Sequence, residues 1–152
     1  MDLATMQQLM QEALTSPDAD RGSHMVLEGR LLAERQIQAG RPLDAIACVP
    51  ALAADMEALA RGTCPVHVMK QADLESLAGY HFHRGILAFA PRPPLEALEK
   101  WLREAPGLPH RMVVCPRLAD PANLGSLYRN ASGFGWSAMA IGAQCCSPFG
   151  RK

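Results

Sequence analysis

Near the start of the chain apolar residues recur every three or four positions. Leu3, Met6, Met10 and Ala13 share one face and predict a short amphipathic helix over residues 3–14. Ser16-Pro17-Asp18-Ala19-Asp20 breaks it. From Met25 to Ala39 the pattern reads as a second helix, ended by Gly40 and Pro42. The run from Asp44 to Val49 is apolar and bounded by Pro42 and Pro50, which predicts a buried strand. Leu52, Met56 and Leu59 then recur at i, i+4 and i+7, predicting a helix that Gly62 closes. Val66 to Met69 is the next strand, Ala72 to Ala78 a short helix stopped by Gly79, and Ile86 to Ala90 a third strand. This alternation predicts a small α/β domain around a largely buried sheet.

Pro91-Arg92-Pro93-Pro94 is the clearest linker-like punctuation in the chain. Leu95, Leu98 and Leu102 predict a helix after it, ended by Pro106-Gly107-Leu108-Pro109. A domain boundary is expected between roughly residues 91 and 110. The parse is an N-terminal helical extension over 1–24, an α/β domain over 25–90, a linker with a helix over 91–109, and a second domain over 110–152. That second part opens on the strand Met112 to Cys115, passes through a polar loop, and continues into a helix expected from Asn123 to about Phe134. Gly135 closes the helix and Ala138 to Ile141 forms another strand. A β-α-β unit results, with its loop at the carboxyl end of the first strand, where ligands bind in open α/β sheets. A unit of this size buries too little surface to be stable alone, so further chain or a partner is expected to complete its sheet.

Composition narrows the class. The 152 residues are 49% hydrophobic and 20% charged, which fits a globular protein. No apolar run reaches the length of a membrane span. Met1-Asp2-Leu3-Ala4 lacks the basic start and apolar core of a secretory signal. Five cysteines without a Cys-x-x-Cys pair make neither a disulfide framework nor a zinc site, and read as reduced thiols of a cytoplasmic protein. Net charge is zero, but residues 1–109 hold ten Lys/Arg against fourteen Asp/Glu, while residues 110–152 hold five against Asp120 alone. A basic segment on an acidic body suits contact with phosphate or an anionic cofactor, although so few arginines also arise on ordinary surfaces. Arg21-Gly22-Ser23-His24-Met25 matches the letters of a common cloning scar, and no function is drawn from it.

The informative stretch runs from Leu118 to Gly135. Asn123 is expected as a helix N-cap, with Asp120 just before it favoured by the positive helix end. Gly125 would let a ligand or another backbone approach the first turn. Arg129 falls six residues after Asn123, away from the apolar face of Leu124, Leu127, Tyr128 and Ala131. A lone helical arginine is usually solvated surface. One beside a cap at the ligand edge of a sheet is a better candidate for a phosphate or a ribose hydroxyl.

Asp120, Pro121, Asn123, Gly125, Arg129, Phe134 and Gly135 together resemble the first signature motif of SpoU-type (TrmH-like, SPOUT superfamily) RNA ribose 2′-O-methyltransferases. His83-Arg84-Gly85-Ile86-Leu87-Ala88 resembles the stretch that closes that family's small N-terminal substrate-binding domain, and Met25-Val26-Leu27-Glu28-Gly29-Arg30 resembles its start. The resemblance implies an RNA-recruiting α/β domain over about 25–90, similar to kink-turn-binding ribosomal proteins. It implies the beginning of a knotted α/β catalytic domain from about residue 110, an exception to the rule against knots. It further implies S-adenosylmethionine as methyl donor, tRNA or rRNA as partner, and a homodimer in the full-length form. Arg129 and Asn123 would be the catalytic pair. Arg84, Arg30, Gly125 and Arg117 would contact RNA. The family's second and third motifs, which supply most of the cofactor pocket, are not found in the 152 residues. Cofactor-binding residues are therefore unassigned, and this chain is expected to be inactive alone.

Other signals are weak. His81-x-His83 has strand-like spacing for a metal but no third ligand, so no metal is assigned. Vicinal Cys145-Cys146 has nothing nearby to stabilise a thiolate. Arg84, Arg30 and Arg41 suit a solvated face about as well as an RNA surface. No phosphate-binding loop, hydrolase elbow or dinucleotide fingerprint occurs. The alternatives to a methyltransferase are a non-catalytic RNA-binding module and a truncated product whose exposed sheet edge invites aggregation.

Overall fold

A computed structural model of the chain describes residues 1–15, 23–104, 111–136 and 138–149. It divides into two compact units, one of Met1–Thr15 with Gly22–Arg92, the other including Pro93–Lys152. The break falls inside Pro91-Arg92-Pro93-Pro94. Ser16 to Asp20, read above as a helix breaker, and Pro106 to Pro109, read as a helix stop, lie outside the described residues.

The first unit is built on a four-stranded mixed sheet. Its strands are β1 (His24–Glu28), β2 (Ala45–Cys48), β3 (Val66–Val68) and β4 (Ile86–Pro91), in the spatial order β1-β4-β2-β3. The central strand β4 runs antiparallel to both neighbours, and β2 and β3 are parallel. Side chains alternate across a strand, so one strand can serve two cores. Leu87 and Phe89 of β4, with Ala45 and Ala47 of β2, pack under α1 (Leu3–Thr15) and α4 (Gln71–Ala78). Ile86, Ala88 and Ala90, with Ile46 and Cys48, pack under α2 (Arg30–Gln38) and α3 (Ala53–Ala60). The result is a three-layer α/β/α unit whose middle strands are buried on both faces, as their unbroken apolar runs predict.

Three expectations need correcting. Met25 to Ala39 is not one helix. Residues 24–28 are strand β1, paired to β4 with Leu27 opposite Ala88, and only Arg30–Gln38 is helical. The switch is made at Gly29, whose φ of 91° is open to glycine and costly for other residues. Leu27 and its neighbours gain more from β4 than from a longer helix, an override that local pattern does not show. Second, α3 ends on Arg61 in the left-handed region (φ 48°), one residue before the expected Gly62. Third, the N-terminal helix is no appendage. Met6 and Met10 are almost wholly buried in the core beneath β4.

The second unit contains α5 (Leu98–Glu104), β5 (Met112–Cys115), α6 (Pro121–Gly133) and β6 (Ala138–Ile141). β5 and β6 are parallel, with Met112 opposite Ala138 and Cys115 opposite Ile141, so the expected β-α-β unit is present. Leu124 and Ala131 of α6 are buried. The two-stranded sheet is covered incompletely: Val114 keeps 64% of its surface exposed. An open, mainly apolar groove of about 430 Å³ lies along β5 and β6, lined also by Leu95, Leu98 and Trp101. Among the described residues no helix is long and apolar enough to cross a membrane.

Cys48 and Cys64 lie in the core on the α2/α3 side, and burial pushes both thiols above their usual range. Because the folded values are raised, the neutral thiols' contribution is intact below about pH 8.5 and fades as pH rises through the folded values. The melting temperature is expected to fall between pH 8 and 10, and to fall less steeply in a Cys48→Ala/Cys64→Ala variant. Parallel pH profiles for the two proteins in thermal denaturation would refute this account.

Candidate functional site

The loop from Pro116 to Asp120 joins β5 to α6 and leaves the carboxyl edge of the parallel pair. Helix α6 begins earlier than Asn123. Its N-cap is Asp120, in extended conformation, whose side chain accepts a hydrogen bond of 2.8 Å from the Ala122 backbone N–H. Pro121 takes the first helical position, where its fixed φ fits and its missing N–H is no loss. The expected cap at Asn123 is thus corrected by three residues. Asn123 lies within the first turn, exposed, and is not needed to terminate the helix. Asp-Pro is itself a helix-start signal, so this was readable in the sequence.

Arg129 sits on the same helix and is solvent-exposed. Its Nη2 donates to Ser126 Oγ at 3.1 Å, and its Nη1 lies 3.3 Å from where a Cβ on Gly125 would be. The guanidinium therefore folds back along α6 toward the helix start, over the one position in that turn without a side chain. An alanine at residue 125 would crowd it. The sequence singled out Gly125 and Arg129 separately. The structure brings them together and adds Ser126, which had not been singled out.

The loop after β6 is fastened to this edge. Gly142 N–H donates to the Cys115 carbonyl at 2.8 Å, Cys145 Sγ donates to the same oxygen at 3.1 Å, and Cys146 N–H donates to the Leu118 carbonyl at 2.8 Å. A Cβ on Gly142 would overlap the carbonyl of Pro116. The two loops thus approach backbone to backbone, which only glycine permits. Gly142 and Cys145 were missed as site-shaping residues; a glycine directly after a strand was the available signal. Burial raises the Cys115 and Cys146 thiols above their usual range, which opposes a reactive thiolate here. Arg117 is exposed on the β5–α6 loop.

The remaining candidates belong to the first unit. Its two landmark stretches meet through the β1–β4 pairing: Gly29 N–H donates to the Ile86 carbonyl at 3.0 Å, and Arg84 Nη1 donates to the Glu28 carbonyl at 3.3 Å. Arg84 is exposed and its stem lies over Gly29. Arg30 is engaged by two carboxylates, Glu34 and Asp55, each at 2.5 Å. Such a pairing leaves it less charge to offer a phosphate than Arg84 has. Arg41 is exposed. The His81 and His83 rings are parallel within 10°, and no group of three metal-ligating side chains occurs among the described residues.

Gly142 gives a direct test of the interlocked loops. Gly142→Ala is expected to destabilise the second unit by about 1–3 kcal/mol, the usual cost of forcing a group into filled space. Urea denaturation measures it, and a change below about 0.5 kcal/mol would show that the loops part easily.

No family model matches the sequence. An uncharacterised tRNA/rRNA methyltransferase of Mycobacterium tuberculosis is 28% identical over 138 residues, which cover 90% of this chain and 46% of the relative. Another, from Mycolicibacterium paratuberculosis, is 33% identical over 72 residues, covering 47% of this chain and 23% of the relative. Among solved structures, an AdoMet-bound rRNA methyltransferase from Sinorhizobium meliloti superposes with a TM-score of 0.73 at 17% identity, over 98% of this chain and 56% of that one. The SpoU methyltransferase AviRb from Streptomyces viridochromogenes, in complex with the cofactor AdoMet, gives 0.72 at 17% identity, over 95% and 53%. In sequence the chain is similar to tRNA/rRNA methyltransferases, in fold it resembles SpoU-type methyltransferases, and it spans about half the length of the relatives it matches.

Proposed function

We propose that this chain is the RNA-recruiting unit and the first catalytic motif of an RNA ribose 2′-O-methyltransferase that uses S-adenosylmethionine on tRNA or rRNA. The observation that carries the reading is Arg129 folded over Gly125 and Ser126 at the start of α6, beside loops at the carboxyl edge of a parallel strand pair. Residues from about 25 to 90 would recruit RNA, in the manner of kink-turn-binding ribosomal proteins. Residues from about 110 would begin the knotted catalytic domain, and the full-length enzyme would work in the cytoplasm as a homodimer.

S-adenosylmethionine would supply an electrophilic methyl group. The described residues do not by themselves fit that molecule. Pro116, Arg117, Ala119, Asp120 and the turn after Gly142 lie open at the edge, and the neighbouring groove is mainly apolar. The chain's own contribution is electrostatic. A guanidinium has five N–H donors and no acceptor, so Arg129 is suited to donate hydrogen bonds rather than to take up a proton. It would hold a ribose hydroxyl or adjacent phosphate and stabilise negative charge as it develops on the attacking oxygen. Asn123, exposed in the first turn and free of the capping duty, would orient the ribose by hydrogen bonding.

The open edge favours a second reading for the 152 residues taken alone, a module that binds RNA without catalysing. Calorimetry separates the two. The purified chain is expected to bind tRNA or rRNA fragments and not to take up S-adenosylmethionine; stoichiometric cofactor uptake would sink the second reading. Reading the gene beyond the codon for Lys152 adds an independent check, because a methyltransferase requires a further glycine-rich strand-loop and an Asn/Ser-rich loop. In an enzyme carrying those motifs, Arg129→Ala is expected to lower kcat by about 10²–10³ with cofactor affinity unchanged. Unaltered turnover would remove Arg129 from the mechanism.

A further inference from the structure

The segment between α4 and β4 of the first unit is short, anchored at both ends and outward-facing. Gly79 caps α4 in the left-handed region (φ 77°), and its N–H donates to the Glu75 carbonyl at 2.8 Å. At the other end Gly85 (φ 67°) is pressed against Val49 and Leu52, where a Cβ would lie only 3.0 Å from Val49. Between them the side chains alternate. Phe82 is buried in the core under α1 and α4, with Gln71 Nε2 donating to its carbonyl, and Tyr80 meets its ring edge-on at 6.1 Å. His81 and His83 consequently point outward together.

Their two imidazole rings are parallel within 10°, with centroids 6.5 Å apart, and both residues are exposed. That separation is close to twice the stacking distance of about 3.4 Å between neighbouring bases. Residues two apart on a segment whose side chains alternate are spaced near this distance by the backbone itself. Glu75 Oε2 lies 3.3 Å from His81 Nδ1 and steadies that ring. Arg84, the next residue but two, is exposed beside the same segment.

We propose that His81 and His83 form a base clamp, in which one unpaired RNA base inserts between the parallel imidazoles while Arg84 meets the adjoining phosphate. The clamp deepens the RNA-recruiting reading of this unit and rests on it. Single-stranded RNA is recognised largely by stacking unpaired bases on flat side chains, with cationic groups tracking the backbone. An alternating segment pinned by a buried Phe82 presents those flat faces with little ordering left to occur on binding.

The test uses the full 152-residue chain and a short single-stranded RNA carrying one 2-aminopurine, read by fluorescence anisotropy and by quenching of the base. The wild type is expected to bind and to quench. His81→Ala and His83→Ala are each expected to weaken binding by about tenfold and to relieve the quenching. A His81→Phe/His83→Phe variant, which keeps two flat faces and loses the nitrogens, is expected to retain both signals. Binding that survives in the alanine variants with quenching intact overturns the clamp and leaves RNA recruitment standing. Loss in the phenylalanine variant with retention in His81→Lys would assign the site to charge and also overturn it. No RNA binding by the wild type would overturn the clamp and the recruiting role together. Thermal melts of each variant separate lost stacking from lost folding.

Discussion

Everything described in the first unit depends on the double burial of β4. Its residues from Ile86 to Ala90 have no measurable exposure, and their alternation sends Leu87 and Phe89 to one core and the other three to the opposite core. Removing water from both faces of one strand is the largest apolar gain available to so small a sheet. It also fixes register, since a slip of one residue would exchange the two cores. The pairing of β1, the exit of the chain through Arg92, and the position of the histidine segment before Gly85 all follow from it.

The second unit works on a different constraint, close backbone approach. A parallel strand pair with two helices has little apolar surface to bury, and Val114 shows how much remains open. What order there is at its carboxyl edge comes from hydrogen bonds that two loops exchange across Gly142. Those bonds hold the turn after β6 beside the loop that leads into α6. The edge can thus present Asp120, Asn123 and Arg129 in defined places even though the sheet is narrow. Position at this edge comes from backbone polar groups satisfied locally rather than from a large core.

Under the proposed function, the two units would divide the work in a way that suits their physics. Recruitment of a large, flexible polyanion would need a rigid platform with exposed flat and cationic side chains, and the well-packed first unit would offer Arg84 with the histidine pair. Arg30 is a less suitable contact, because Glu34 and Asp55 already compensate it. The proposed chemistry at a ribose would need a cation aimed at a small volume, and Arg129 is held along its own helix through Ser126 and the gap at Gly125.

Much of this was legible in the sequence, for an identifiable reason. Strands β2 and β4 are unbroken apolar runs between turn residues, and α4 ends at a glycine, so local pattern and tertiary demand agree there. The stretch that resembles a SpoU-type motif stood out because its polar and glycine residues are spaced along one short helix, α6. Strand β1 was not legible. Met25-Val26-Leu27 fits either period, and the choice was made by β4, some sixty residues away. The cap falls at Asp120 rather than Asn123, and the Asp-Pro pair carries that signal three residues ahead of the apolar face. The sequence by itself determined which residues are apolar, where the chain must turn, and which few side chains could do chemistry. Only the tertiary structure decided that Arg129 lies over Gly125, that Arg30 is compensated, and that His81 and His83 stand parallel. Contacts between residues far apart in the chain depend on packing, and no local pattern encodes them.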